Sequence, residues 1–530
     1  MEATCIYGIV IAGIFLLIFL VNCLRNLAPL GSYLKLQIGR HLEYPYILRR
    51  HRLIGPWSRG MFCLQVLYIS TNLVVLLDQG LSITSIRDRG GSLALINLIL
   101  PLSALHLSQI ADILNLSLHS IRRLHRSMGR MSALLLLIHV AASFFKQDVH
   151  MTPINSENLS KMIGGASLGL LILLSLPGIR RLSYEIFLRL HQALSILGFY
   201  GIWQHVPRKS RFARLYVYVT VGIFGCTSIL QVAILLYHNG LLSHRGSPRA
   251  IVTCKSAATI QNASIKIRLT LPRPIRVMPG QYINICLPSV SIWSWLQTHP
   301  LTVTSWSCEK QEILELLIHP QRGQSASLFE QVRAIESGRA LSLMALYSGP
   351  HGISERVNDY ENVILIASGP GLVAVIPYVA MLIHGYNTCT MHVRRIHLIW
   401  QVEELEFAIS FEHMLNVLLK DDVLDDGYIL NISIYIEHGI LPNRPNLLFG
   451  RHDRAFLYGG LPDYDAIISS EASGKVIQGS SVVRDEHGRT LYPLWEPYGI
   501  RYEVWFDKTY PVVLVWSTWN FNRNLNEGLR

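Results

Sequence analysis

Seven apolar stretches fill residues 1–240, at roughly 6–24, 60–77, 92–113, 131–145, 162–178, 186–204 and 213–237. About 20 apolar residues coiled as helix match the ~30 Å hydrocarbon layer of a bilayer. Lipid offers no hydrogen-bond partners, so helix is the form these stretches must take. The first, "CIYGIVIAGIFLLIFLVNCL", has a long apolar core with no basic segment before it, which predicts a transmembrane helix rather than a signal peptide. From about residue 245 the pattern becomes that of a water-soluble protein. The expectation is a membrane half followed by a soluble half. It agrees with a charged fraction of only 15% and a mean hydropathy of +0.31.

Formal net charge is +12, from 47 basic and 35 acidic residues. The basic residues of the first half lie mainly in short segments beside apolar runs, which argues for topology signals and against a nucleic-acid partner. Segment 25–59 carries Arg25, Lys35, Arg40, Arg49, Arg50, Arg52 and Arg59 against Glu43. Arg122, Arg123, Arg126 and Arg130 form a second basic loop, and Arg180 and Arg181 a third, on the same side after paired crossings. These three predict an outside N-terminus and a cytosolic soluble half. The segment with Arg208, Lys209, Arg211 and Arg214 opposes them. Asn158, in "NLS", is expected in an external loop and open to glycosylation. The eight cysteines form no CxxC pair, so neither a zinc site nor a disulfide framework is expected.

Within the apolar runs, "LHRSMGRMSALLLLIHV" holds His125 and His139, and "YEIFLRLHQALSILGFYGIWQHV" holds His191 and His205. Both pairs are fourteen residues apart. On a helix, fourteen residues rise ~21 Å and return to within ~40° of the starting direction. Each helix therefore offers two imidazoles on nearly one face, one near each membrane surface. Set side by side and parallel, the helices oppose His125 to His191 and His139 to His205. Imidazoles are costly in lipid. Paired at two depths, they suit the axial positions of two b-type haems, with both iron positions filled for electron transfer. His106 and His119 lack such partners and read as ordinary. Arg123, Arg126 and Arg130 read equally as topology charges and as partners for haem propionates.

In the soluble half, "AIVTCKS", "ASIKIRLT", "QYINICLP", "ILELLIH" and "ALSLMAL" are short alternating or apolar runs that predict an antiparallel barrel. After residue 360, "NVILIASGPGLVAVIPYVAML" reads as strand, glycine turn and helix. Gly369 and Gly371 would let the backbone approach a pyrophosphate at the helix N-terminus. "IHLIW", "ILNISIYI" and "PVVLVW" are further strands, so a nucleotide-binding α/β domain with a parallel sheet is expected.

The order of these parts, together with "LALINLILPLSAL", "PGQYINICLP", "HPLTVTSW", "SGPHG", "SGPGLVAVIPY" and "GLPDYDAI", resembles the fungal ferric reductases of the ferric reductase / NADPH oxidase superfamily, over most of residues 90–470. The resemblance implies a multidomain fold. An α-helical transmembrane haem-binding bundle (1–240, core about 92–237) precedes a ferredoxin-reductase-like antiparallel β-barrel FAD domain (246–350). An α/β NAD(P)-binding domain (360–530) follows, with 471–509 unplaced. His299, Pro300, Leu301 and Thr302 then resemble the family's His-Pro-Phe-Thr motif against the flavin. Arg322, Gly323, Gln324 and Ser325 resemble its flavin-pyrophosphate segment, and Ser368, Gly369, Pro370 and Gly371 its nicotinamide-nucleotide turn.

Implied cofactors are FAD, two haem b and NADPH or NADH. The implied activity is electron transfer to ferric, or cupric, chelates or siderophores outside the cell. The implied partners are the lipid bilayer and a metal permease or oxidase. The plasma membrane is the expected location, with the vacuolar membrane second. The sequence departs from the family at Leu301, at Trp516–Thr518 where the family has Cys-Gly-Pro, and at Gln401–Glu403 where it often has an arginine. Nucleotide preference and activity stay open at this stage. A degenerate, inactive reductase and a superoxide-producing NADPH oxidase are the alternatives.

Overall fold

The computed structural model describes residues 3–24, 38–43, 45–48, 57–78, 80, 82–145, 156–182, 184–207, 210–241, 246–254, 264–291, 294–320, 323–334, 340–355, 357–358, 360–424, 429–439, 447–472, 503–504 and 512–518. The chain divides into two units, one of residues 1–31 and 60–232 and the other of residues 32–59 and 233–530.

The first unit is helical. Its elements are α1 (Ala3–Leu24), α2 (Arg59–Leu77), α3 (Ile83–Ser103), α4 (Leu107–Ile113), α5 (Leu118–Phe145), α6 (Ser156–Leu174), α7 (Pro177–Leu182), α8 (Tyr184–His205) and α9 (Arg211–His238, whose last turn belongs to the second unit). α1, α2, α5 and α9 are each long and apolar enough to cross a membrane. Leu17, Leu64, Val74, Leu137, Ile196 and Ile229 point outward and are exposed. Such a surface is unfavourable in water and ordinary in lipid.

Three expectations need correction. The stretch 92–113 is not one span: α3 and α4 meet at 102°. Pro101 lies in the last turn of α3, lacks an N–H and cannot continue the ladder, and the helix ends at Ser103. With 21 residues α3 is ~31 Å long, and it is apolar enough to cross a membrane only when taken together with α4. The basic loop expected at Arg122–Arg130 is helix, because α5 runs unbroken through 28 residues from Leu118. Asn158, expected in a loop, falls in the first turn of α6.

Polar glue holds α1, α2 and α3 together. Asn97 donates to Asn72 Oδ1 (2.8 Å), Asn72 donates to the Tyr7 hydroxyl (2.8 Å), and Tyr68 donates to Asn97. Such hydrogen bonds replace the hydrophobic drive that lipid removes. α6 meets α8 at Gly164 and Gly201, where a Cβ on Gly164 would lie 2.6 Å from the Gly201 Cα. α3 packs along α5.

The second unit holds a short pair, β1 (Tyr46–Leu48) with β2 (Trp57–Ser58), and then two antiparallel sheets. β3 (Arg249–Cys254), β4 (Ile265–Ile275), β5 (Tyr282–Cys286), β6 (His299–Thr302), β7 (Gln311–Ile318), β8 (Leu341–Met344) and β9 (Leu346–His351) follow in the chain, with α10 (Gln324–Ala334) between β7 and β8. They form one antiparallel sheet in the order β7-β4-β3-β8 and another in the order β6-β5-β9. One bridge, Val303 to Leu316, links the two. The expected barrel is therefore two sheets around one core and does not close among the described residues. Leu328, Phe329 and Val332 of α10 fill that core with Ile267, Leu269 and Ile283. At the end of α9, the Asn239 side chain pairs with the Tyr347 backbone like a strand residue, donating at 2.8 Å and accepting at 2.9 Å.

The rest is an α/β layer of β10 (Asn362–Ser368), α11 (Leu372–Asn387), β11 (Arg395–Val402), α12 (Leu405–Asp421), β12 (Leu430–Ile436), β13 (Leu447–Leu448), β14 (Ala455–Gly459), α13 (Tyr464–Ala472), β15 (Glu503–Val504) and β16 (Val512–Thr518). Strand order is β13-β14-β12-β11-β10-β16-β15, parallel except at the two edges. The run "PVVLVW" is thus a central strand beside β10, as its apolarity predicts. The order reverses between β10 and β16, the switch point at which such sheets bind ligands beyond their strand C-termini.

Glu471, placed by the sequence reading in an unassigned segment, ends α13 and is nearly sealed from solvent. Arg395 grips its carboxylate in a fork (2.6 and 2.8 Å), and His397 Nδ1 lies 2.8 Å away. Burial alone would raise its pKa, but bonding to His397 and Arg395 outweighs burial and holds the carboxyl at about 2, below its ordinary 4.5. The stabilisation is complete above the ordinary value and is lost as pH falls through the folded one. Glu471→Gln should destabilise the α/β layer by ~3–5 kcal/mol at neutral pH, because Arg395 is left buried and unpaired. Hydrogen exchange of β11 amides measures this, and the gap from wild type should narrow as pH falls from 4.5 towards 2.

Candidate functional site

The four membrane histidines meet in pairs. The His125 and His191 ring centroids are 6.2 Å apart with planes at 54°, and those of His139 and His205 are 6.1 Å apart at 81°. The pairing order makes α5 and α8 parallel. Their backbones make few close approaches, since α5 packs on α3 and α8 on α6. Two imidazole nitrogens each ~2.0–2.1 Å from one first-row metal ion would hold their ring centroids roughly 6 Å apart. Both pairs fit such an ion.

Neighbouring groups fix the rings. His139 Nδ1 lies 2.8 Å from the Arg87 carbonyl, which selects the Nδ1–H tautomer and leaves the Nε2 lone pair free. Gly91 makes room for this contact: a Cβ there would lie 2.9 Å from His139 Nδ1. His125 Nδ1 is buried and makes no hydrogen bond among the described residues. His191 Nδ1 is 3.5 Å from the Ser175 hydroxyl. Arg123 approaches the Met61 sulfur at 2.7 Å, and Arg126 donates to the Arg122 carbonyl at 3.2 Å, so both side chains are engaged within the protein. Gly91 and Arg87 escaped the sequence reading; the only signal was a glycine pair inside a helix.

In the antiparallel sheets of the second unit, His299–Thr302 form the edge strand β6, paired to β5 with His299 opposite Ile285 and Leu301 opposite Ile283. An edge tolerates Pro300, which has no N–H to give. Leu301, the departure from an aromatic, packs against the sheet core. Gly323 has φ +67° and turns the chain into α10, with Gln324 and Ser325 in the first turn. Arg322 lies outside the described residues. Gly280 (φ +81°) leaves space for the Tyr378 hydroxyl, which a Cβ would approach to 2.6 Å. That hydroxyl accepts the Glu355 N–H at 3.0 Å and ties α11 to the segment after β9.

At the parallel sheet, Ser368 ends β10, and Gly369–Gly371 form one tight turn running straight into α11. Gly369 takes φ +49°, and the fully buried Trp400 donates its indole N–H to the Gly369 carbonyl at 2.9 Å. No side chain caps α11, and the Leu372 N–H donates back to the carbonyls of Gly369 and Pro370. Thr518 of β16 is in register with Ser368. Gln401 donates to the Glu437 carboxylate and accepts the Tyr464 hydroxyl proton at 2.9 Å. Sequence reasoning singled out Gln401 but missed Trp400, Glu437 and Tyr464, which only the strand order brings to one edge.

Residues 90–202 match the family described as ferric reductase like transmembrane component, and residues 250–370 match an FAD-binding domain. The chain is related to the fungal ferric reductases. It is 30% identical over 259 residues to ferric reductase transmembrane component 3 of Saccharomyces cerevisiae, covering 47% of this chain and 33% of that one. Ferric/cupric reductase transmembrane component 2 of the same yeast is 30% identical over 254 residues, with 47% and 33% covered. The probable cell surface ferric reductase kap2 of Aspergillus oryzae is 26% identical over 320 residues, with 56% and 40% covered. The match thus spans about a third of the length of the first two relatives. Among solved structures, a ferredoxin NADP+ reductase from Neisseria gonorrhoeae aligns at TM-score 0.30 and 14% identity, over 43% of this chain and 77% of that one. The first match falls on the apolar helices of the first unit, and the second on the antiparallel sheets and β10 of the second.

Proposed function

We propose that the protein moves electrons across a membrane, from cytosolic NAD(P)H through FAD and two b-type haems to ferric iron outside. The observation that carries this reading is the pair of facing imidazoles at each of two levels along α5 and α8. When bound, the flavin converts a two-electron donor into single electrons, and the haems supply a one-electron path.

His125 with His191, and His139 with His205, would hold the two haem irons. The Arg87 carbonyl orients His139, and Gly91 gives the ring its room. His299–Thr302 form the edge for the flavin ring system. Gly323, Ser325 and the N-terminus of α10 suit its pyrophosphate, joined by Arg322 on the family's pattern. Ser368–Gly371 and the uncapped N-terminus of α11 suit the nicotinamide nucleotide, with Trp400 holding the turn rigid. Residues 1–240, 246–350 and 360–530 are taken as the three working domains, with the N-terminus outside, the soluble part cytosolic and the plasma membrane as the location. Ferric chelates are the acceptors, and no side chain has to exchange a proton with them. An inactive reductase is the second reading, favoured by Trp516–Thr518 at the end of β16, where the family carries Cys-Gly-Pro.

Full-length protein purified with FAD is tested by adding NADH or NADPH anaerobically and recording the haem spectrum. Haem reduction, followed by faster reoxidation with a ferric chelate than with dioxygen, is expected. Haem that stays oxidised with FAD bound would establish the inactive reading, and faster reoxidation by dioxygen an oxidase. His139→Ala should lower the haem content from two per chain to one while the protein still reaches the membrane, and a variant retaining two refutes the ligand assignment. Gly91→Val should weaken outer-haem binding by ~10–100-fold, the usual effect of disturbing a group that orients a ligand. Haem titration by absorbance measures this, with the His125/His191 site as the internal control.

A further inference from the structure

We infer that the basic end of α5 binds a lipid headgroup of the cytosolic leaflet that carries more than one phosphate, of the phosphoinositide kind. The inference rests on the orientation proposed above, with this end of α5 in the cytosol, and is independent of the electron-transfer reading.

α5 runs for 28 residues, or ~42 Å, and exceeds a ~30 Å hydrocarbon layer by ~12 Å. From Met131 to Phe145 it carries no lysine, arginine, aspartate or glutamate, and Leu134, Leu137, Val140, Phe144 and Phe145 are exposed. The excess length therefore lies at the other end, where the arginines are. Counted back ~20 residues from Phe145, the hydrocarbon edge falls near Arg126.

Arg122, Arg126 and Arg130 are spaced at every fourth position, and all three are exposed. Successive members stand ~6 Å apart along the helix and ~40° apart around it, which makes one stripe. Measured from His125, the stripe lies at ~60°, ~100° and ~140°, while His139 lies ~40° the other way. The arginines thus turn away from the face that carries the paired imidazoles. That favours an occupant outside the helices over a haem propionate between them. Arg180 of α7, half-buried, joins from a second helix: it is the strongest charge acting on Arg126, ahead of Arg130, Arg123 and Arg122. Arg126 Nε donates to the Arg122 carbonyl at 3.2 Å, which leaves its two Nη groups for a ligand. Like charges held this close repel, and an anion among them turns the repulsion into attraction.

Depth names the anion. Helical side chains lean toward the helix N-terminus, here the cytosol, and long arginine stems snorkel to the interface. Arg130 then reaches back to the hydrocarbon edge, Arg126 meets the level of the lipid phosphates, and Arg122 stands ~6 Å further out. Phosphatidylserine has its phosphate at one level only. A ladder of guanidinium groups ~12 Å tall matches a headgroup with one phosphate at the glycerol and others further out on a ring. Basic pockets between helices at the cytosolic surface hold headgroups of this kind.

The test uses the full chain, loaded with haem and FAD, in phosphatidylcholine nanodiscs. These contain either phosphatidylinositol bisphosphate or phosphatidylserine at equal total charge. Native mass spectrometry counts the lipid retained per chain. One bisphosphate lipid is expected, held about fivefold or more tightly than phosphatidylserine, the gain from one further arginine engaged. The Arg126→Gln, Arg130→Gln double variant should weaken it by about thirtyfold, at about fivefold for each arginine removed. The Arg126→Lys, Arg130→Lys pair should restore most of the loss. Arg122→Gln should weaken the bisphosphate lipid and spare phosphatidylserine, and Arg211→Gln, at the start of α9, should change neither. Haem content and spectrum should be the same in all of them. Wild-type protein that holds the two lipids equally overturns the inference, whether or not the variants fold. Glutamine variants that lose haem or shift its spectrum while keeping the lipid assign the stripe to the propionates and also overturn it. Soluble inositol trisphosphate should compete only weakly, and competition equal to that of the lipid overturns the lipid assignment in favour of a free polyphosphate. Failure of NAD(P)H to reduce the haem counts against the electron-transfer reading alone.

Discussion

A bilayer gives a polar group no water to bond to, and that one constraint orders the first unit of this protein. Every polar side chain between the helices must find its partner in the protein or in something the protein holds. Asn72, Asn97, Tyr7 and Tyr68 satisfy one another and lock α1, α2 and α3. The α3 framework then carries Gly91 and the Arg87 carbonyl, which aim His139 across at His205. On the far side, the close contact of Gly164 with Gly201 sets α8 against α6 and so sets the depth of His191 and His205. The imidazole pairs are the product of two separately packed helix pairs, α3 with α5 and α6 with α8. Neither pair of rings is held together by direct packing of α5 on α8.

The second unit solves a different problem, that of bringing small turns from distant parts of the chain to one edge. Tyr378 reaches from α11 into the space left by Gly280, so the antiparallel sheets and the α/β layer are joined where a Cβ would have stood. Trp400 spans from β11 to the Gly369 carbonyl and meets Phe411 edge-to-face behind it, so the glycine turn is braced by the core itself. At the opposite end of the same strands, Arg395, His397 and Glu471 anchor α13. α13 is thus anchored at one end of the strands and delivers Tyr464 to Gln401 at the other.

What the sequence could reveal follows from the range of each signal. The fourteen-residue histidine spacing was legible because helix geometry is local and periodic, and repeating it in two helices removed coincidence. The strands of the α/β layer were legible because a strand buried on both faces must be apolar throughout. The break after Ser103 was misread because apolarity alone continues through Leu105 and Leu107, while the helix does not. Arg122–Arg130 was misread because charge marks the membrane surface, and a helix can extend past that surface. Gly91, Trp400, Glu437 and Glu471 were not legible: each acts on a residue 31 or more positions away, and only tertiary structure sets such distances.

The departures from the family pattern also acquire physical meaning once their neighbours are known. Leu301 faces the core of the flavin-type sheets, where an aliphatic side chain fills the volume, so this change need not disturb a ring bound on the open edge of β6. Gln401 is different, because it is one member of a bonded set with Glu437 and Tyr464 that a lone arginine would not complete. An arginine at 401 would gain the Glu437 carboxylate and lose the acceptor for the Tyr464 hydroxyl.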